Sequence, residues 1–187
     1  MEWNRKPLFG VGINDVKQYT RGTKAYLVWK SMLARCYSGY TLKSNPAYAG
    51  CAVCEEWLTF SKFKDWFEKN YRIGTQLDKD IIVPGNKVYS PDTCCFVPQE
   101  INKVFKGHAR VSGISVGVRK QNQRYVAEFR TNGIRYKKSF SNLNDAERFY
   151  QEHKKRRIRE LADSYRDNNR IDDRTYNALV RYGMEIH

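Results

Sequence analysis

Arg119, Glu128, Arg130, Arg135 and Lys137 fall at alternating positions of one stretch, GVRKQNQRYVAEFRTNGIRYKKSF. Folded as three strands joined by turns, that stretch turns all five side chains to one face. A guanidinium fork matches guanine O6/N7 and also phosphate, and a glutamate can accept from cytosine N4. Cations alone would suit any polyanion. The acid among them points to contact with base edges as well as with charge. Lys120 and Arg124 lie in the same stretch and join the candidate contact set.

The elements that must hold this plate are legible around it. Three strands are predicted over 114–120, Arg124–Thr131 and Ile134–Phe140, the last two joined by Asn132-Gly133. Asn-Gly between alternating runs is a strong hairpin signal, because a type I′ turn needs φ > 0 at both central positions. Ile114, Val116, Val118, Tyr125, Ala127, Phe129, Ile134, Tyr136 and Phe140 then share the opposite, apolar face. Ser141-Asn142 can cap a long helix, AERFYQEHKKRRIRELADSYRDN, whose Ala146, Phe149, Tyr150, Ile158 and Leu161 form an apolar stripe. The first part of that stripe should pack on the meander. The run Lys154-Lys155-Arg156-Arg157 circles the helix, and reads either as a solvated surface or as a phosphate contact. A short last helix, IDDRTYNALVRYG, has an aspartate cap and a Gly183 stop.

Upstream, Tyr26, Trp29, Met32, Leu33, Cys36 and Tyr37 recur at helical spacing. A second helical pattern covers CEEWLTFSKFKDWFEKNY, and its stripe of Trp57, Phe60, Phe63, Phe67 and Tyr71 reads as core. Residues 74–102 read as a β-turn-β-helix unit: LDKDIIV a strand, PGNK a turn, VYSP a second strand, CFVPQEINKVF the way into a helix. Lys106-Gly107-His108 reads as a hinge into the meander.

The totals agree with a polyanionic partner. The 187 residues carry 34 Lys+Arg against 20 Asp+Glu, a formal net charge of +14. Aromatic content of 14% is too high for a disordered basic tail. No apolar run approaches the roughly 20 residues of a membrane span, and the N-terminus lacks the apolar core of a signal peptide. A reducing cytoplasm is the expected compartment. Cys36, Cys51, Cys54, Cys94 and Cys95 are odd in number and include an adjacent pair, which argues against a disulfide framework. Cys51-Ala-Val-Cys54 has zinc-knuckle spacing, with Cys36 or Cys94-Cys95 to complete four ligands. A second C-x-x-C is lacking, however, so packed free thiols are expected and not structural zinc.

Two resemblances extend this reading. GVRK, YVAEFR and SFSNLNDAERFY, in that order over roughly 108–158, resemble the AP2 domain, a three-stranded sheet backed by a helix. That resemblance implies a sheet entering the DNA major groove, with Arg119, Glu128 and Arg130 as readers and Arg135 and Lys137 beside them. The tryptophan that plant members carry in the sheet is replaced, Tyr125 and Tyr136 being the nearest aromatics. QLDKDIIVPGNKVYSPDTCCFVPQEINKVF resembles the HNH module of phage homing-type endonucleases. On that pattern Asp78 and Asn102 would ligate Mg²⁺ or another divalent cation, Gly85-Asn86-Lys87 would form the turn, and Phe96-Val97 the apolar pair. Lys79 stands where the family has its histidine base and Thr93 where it has an asparagine. Lysine is protonated at neutral pH and a poor base. Asp80 as base, His108 reaching in, or Lys79 stabilising phosphate charge are the three ways such a site would work; His153 and His187 lie far along the chain.

The expected protein is therefore α+β in two modules. Residues 1–106 would hold preceding helices and the HNH-like ββα unit. Residues 107–187 would hold the AP2-like sheet, its helix and a short helical tail. The expected function is sequence-directed binding and metal-dependent cleavage or nicking of double-stranded DNA, with Lys79 and Asp80 at the catalytic centre. The alternative is a nuclease-derived, non-catalytic phage DNA-binding protein, regulatory or anti-host, in the host cytoplasm. An RNA-binding module fits the charge but not the AP2 pattern. No membrane partner is expected.

Overall fold

A computed structural model describes residues 6–105, 117–131 and 134–184. The expected hinge with His108, strand positions 114–116, the Asn132-Gly133 turn and His187 lie outside the described residues. The chain is α+β, with six α-helices and one three-stranded antiparallel sheet among those residues. It divides into two compact units, Met1–Val97 and Pro98–His187.

In the first unit, α1 (Lys24–Tyr37) begins where the Thr23 hydroxyl accepts from the Tyr26 amide at 3.3 Å. Its helical stripe, Tyr26, Trp29, Met32, Leu33 and Cys36, is buried. Ser38 ends α1 and caps α2 (Gly39–Ser44), and a short strand, β1 (Ala52–Val53), follows. The second helical pattern is split. A 3₁₀ turn over Glu55–Leu58 precedes α3 (Phe60–Asn70). The break at Thr59 has a tertiary cause: the Ile13 amide donates to Leu58 O at 2.8 Å and the Phe60 amide to Ile13 O at 2.9 Å. A remote extended segment thus takes backbone groups that a continuous helix would pair internally. The aromatic stripe is core as expected, with Trp57, Phe60 and Phe63 fully buried. Trp29 Nε1 donates to Trp57 O at 2.7 Å, satisfying a donor in the middle of that core.

The next strands are β2 (Thr75–Asp78), β3 (Val88–Tyr89) and β4 (Cys95–Pro98). They do not form the expected hairpin. β2 pairs with β4, and β3 pairs in parallel with β1. The physical reason sits at Asp78, whose Oδ1 accepts from the amides of Asp80 at 2.8 Å and Ile81 at 2.9 Å. This local carboxylate turn competes with strand pairing and ends β2 before Lys79. Phe96, expected as part of the apolar pair after the turn, packs on Trp66, Phe67 and Tyr71.

The second unit opens with α4 (Gln99–Phe105), followed by β5 (Val118–Gln121), β6 (Arg124–Thr131), β7 (Ile134–Phe140), α5 (Leu143–Asp167) and α6 (Asp173–Met184). Glu100 on α4 accepts from Arg157 and Tyr165 on α5, and Phe105 packs on Tyr182 of α6. These ties place α4 with the second unit, which begins at Pro98. β6 and β7 have the bounds the alternation predicts. Asn142 caps α5 by accepting from the Asp145 amide at 2.9 Å. Val118, Ala127 and Ala146 are buried at the sheet–helix contact, with Tyr125, Phe140, Leu143, Phe149 and Tyr150 around them. α6 runs through Gly183, the expected stop, and ends at Met184.

Gly117 is the tightest point of that contact. Its φ is +82°, and a Cβ there would lie 1.9 Å from the Tyr150 ring. Gly117→Ala should destabilise the second unit by about 2–4 kcal/mol, a left-handed backbone cost plus a ring displacement. Gly85 has a φ of +74° and nothing within 4 Å of a Cβ, so Gly85→Ala should cost only about 1–2 kcal/mol. Urea unfolding of the two variants checks the difference.

Candidate nucleic-acid interface

Register decides what the sheet displays. β6 opposes β7 with Glu128 against Lys137, Arg130 against Arg135 and Val126 against Ser139. β5 adds Arg119 opposite Val126. Side chains directly opposite share a face, so Arg119, Arg124, Glu128, Arg130, Arg135 and Lys137 stand together as expected. All five cations are exposed. Lys120 is the exception: it opposes Tyr125. Alternation therefore puts it on the face of Val118 and α5, not on the plate.

Glu128 organises the plate. Arg135 forks onto its carboxylate, with Nε bonded to Oε1 and Nη2 to Oε2 at 2.7 Å. Arg119 Nη1 donates to the same Oε2 at 2.7 Å. The glutamate side chain is 20% exposed and its arginines 46%. Hydrogen bonding from Arg135 and then Arg119 holds the carboxyl well below its ordinary range, at about 2. Glu128 therefore stands between two guanidiniums, not as the free acceptor expected from the sequence. Its partners are correspondingly fixed, with the Nε–Nη2 edge of Arg135 taken up by Glu128. Arg124 is also tied, Nε donating to Ser139 Oγ at 2.8 Å. Arg130 and Lys137 have no carboxylate partner among the described residues.

The cationic run on α5 divides three ways. Lys154 is buried, with its Nζ 5.5 Å from the Tyr182 ring centre. Arg157 pairs with Glu100 and Glu160. Arg156 is exposed. His153, set aside in the sequence as distant, stacks on Phe129 with centroids 4.3 Å apart.

In the first unit, the structure brings Asp78, Lys79 and Asp80 together around the Gly85-Asn86-Lys87 turn. Lys79 is buried, and its ammonium donates to Asp80 Oδ1 at 2.7 Å and to Asn86 O at 2.6 Å. It also lies 5.9 Å from the Tyr89 ring centre. Asn86 answers through its side-chain amide, donating to Lys79 O at 3.0 Å and Val88 O at 2.6 Å. Thr93 Oγ1 donates to Val88 O at 2.7 Å. Lys79 and Asn86 thus lace the turn to the end of β2. Burial pushes the Tyr89 phenol up, against the pull of Arg35, whose Nη1 lies 3.5 Å from its hydroxyl.

The carboxylates expected at a divalent-ion centre already have protein partners. Asp78 Oδ1 is spent on two backbone amides, and the positive charge that would face Asp80 is already supplied by Lys79. Asn102, the other expected ligand, is buried on α4. Among the described residues no three His, Cys, Asp or Glu side chains converge to hold a metal. The five cysteines are free thiols. Burial pushes the Cys36 and Cys94 thiols up to about 12.

No family model matches the chain, and comparison with curated proteins and with solved structures returns no match. No helix among the described residues is long and apolar enough to cross a membrane.

Two outcomes test this geometry. Because the folded pKa of Glu128 lies below its unfolded value, its contribution is fully present above about pH 4.5 and lost as pH falls towards 2. Glu128→Gln should therefore be less stable than the parent at pH 7, with the gap closing between those limits in unfolding scans. Lys79→Met should destabilise the first unit by about 1–3 kcal/mol, by leaving the Asn86 carbonyl and Asp80 without their donor. An unchanged urea midpoint would remove Lys79 from the structural role.

Proposed function

We propose that the second unit is a double-stranded DNA-binding module that reads sequence through the outer face of its sheet. The observation that carries this reading is the Glu128 clamp, which holds Arg119 and Arg135 side by side and leaves Arg130 and Lys137 to face outward. Paired guanidiniums lose less freedom on meeting phosphate, so the plate is preorganised for a charged backbone. Arg130 offers the uncommitted fork, suited to guanine O6/N7. The resemblance to the AP2 pattern supports the same face and the same residues, and the charge of the chain supports a polyanionic partner.

The first unit is read as a scaffold derived from an HNH-like segment, not as a nuclease. Lys79 carries that choice, since its buried ammonium laces the turn where the family resemblance would put a base. The protein is thus a non-catalytic DNA-binding protein, regulatory or anti-host if phage-encoded.

Selection from a randomised duplex pool, followed by affinity measurement across salt concentrations, tests the reading. Arg130→Ala should cost about 1–3 kcal/mol on the preferred site and relax preference at one base pair. Lys137→Ala should weaken all duplexes alike and reduce the salt slope by about 0.9. Equal affinity for every duplex in the pool would reduce the plate to a phosphate-binding surface. Supercoiled plasmid with Mg²⁺ or Mn²⁺ tests the scaffold: it should stay intact. Nicking by the parent and not by an Asp78→Ala/Asn102→Ala variant would make the protein an endonuclease.

A further inference from the structure

The face of the sheet opposite the plate carries a different surface. Phe129, Tyr136, His153, Arg156, Arg157 and Glu160 line a cavity of about 200 Å³. Three of these side chains form a ladder of nearly parallel rings. Tyr136 lies over Phe129 at 5.1 Å with an interplanar angle of 8°, and Phe129 over His153 at 4.3 Å and 18°. A ladder that served only packing would be shielded along its length, but Tyr136 is 42% exposed. Burial, and then the neighbouring Arg156, push the His153 imidazole below its ordinary value, which keeps it a flat uncharged ring at neutral pH. Arg157 is held by Glu100 and Glu160. Arg156 is exposed beside the ladder with no carboxylate partner among the described residues.

We propose that this cavity takes one unpaired nucleobase, stacked on the Tyr136–Phe129–His153 ladder with its phosphate on Arg156. Every base presents a π-face, and aromatic side chains bind it with little regard to identity. The cavity is smaller than the roughly 300–1,000 Å³ of drug-sized pockets, which suits a single planar ring. Bases inside a duplex are already stacked, so the ligand is a base freed from pairing, in a single strand or in a free nucleotide. The inference takes from the duplex-binding reading only the presence of nucleic acid near the sheet.

Fluorescence anisotropy with the full chain tests it, using labelled oligothymidylate beside a strand of equal length and phosphate count whose central positions are abasic. The base-containing strand should bind about tenfold more tightly. Tyr136→Ala and His153→Ala should abolish that ratio, and Tyr136→Leu should do the same while keeping bulk in the fold. Tyr136→Phe should preserve the ratio, and Arg156→Gln should weaken both strands alike. Competition by adenosine monophosphate assigns the site to free nucleotides; an unchanged ratio in its presence assigns it to the strand. Arg130→Ala should leave the ratio untouched, so failure of the plate and failure of the cavity read out separately. Equal affinity for the two strands, or a ratio that survives all three ladder-breaking substitutions in folded protein, would overturn the proposal.

Discussion

Five cations on one face of a three-stranded sheet repel one another, and a single carboxylate makes the arrangement tolerable. Arg130 and Arg135 are direct cross-strand partners, a pairing that like charge disfavours. Glu128 stands one diagonal from both Arg119 and Arg135 and bonds to each. Its carboxylate is present at any physiological pH because those same bonds hold its pKa at about 2. The sheet can therefore show charge to a partner without splaying its strands, provided its other face supplies apolar contact. Val118, Ala127 and Ala146 do that, under the ring of Tyr150.

The two faces consequently have different chemistry. Outward, guanidinium and ammonium groups stand exposed around Glu128. Towards α5, rings dominate, and the strand cations on that face lie against them: the Lys138 Nζ is 4.9 Å from the Phe149 ring centre. A residue one position along a strand changes partner class altogether, which is why Lys120 leaves the contact set while Arg119 stays.

The first unit answers a related problem by a different route. A buried ammonium is costly unless it is bonded. Lys79 is satisfied by a carboxylate, a backbone carbonyl and the face of Tyr89. Those partners are also what hold the turn after β2. Lys79 is thereby a strut between the end of β2 and the Gly85-Asn86-Lys87 turn.

Periodicity and turn chemistry by themselves determined the sheet, its long helix and the aromatic core. β6, β7, the Asn142 cap and the burial of Trp57, Phe60 and Phe63 all follow from short-range patterns that packing reinforces. Alternation likewise placed Arg119, Arg130, Arg135 and Lys137 on one face. What needed tertiary structure was every feature made by residues far apart or by competition for a backbone group. The break at Thr59 depends on Ile13, the placement of β3 on its parallel pairing with β1, and the assignment of α4 on Glu100 meeting α5. The role of Glu128 belongs here too. Its residue type allows either a base acceptor or a clamp. The diagonal approach of two arginines from neighbouring strands is what makes it a clamp.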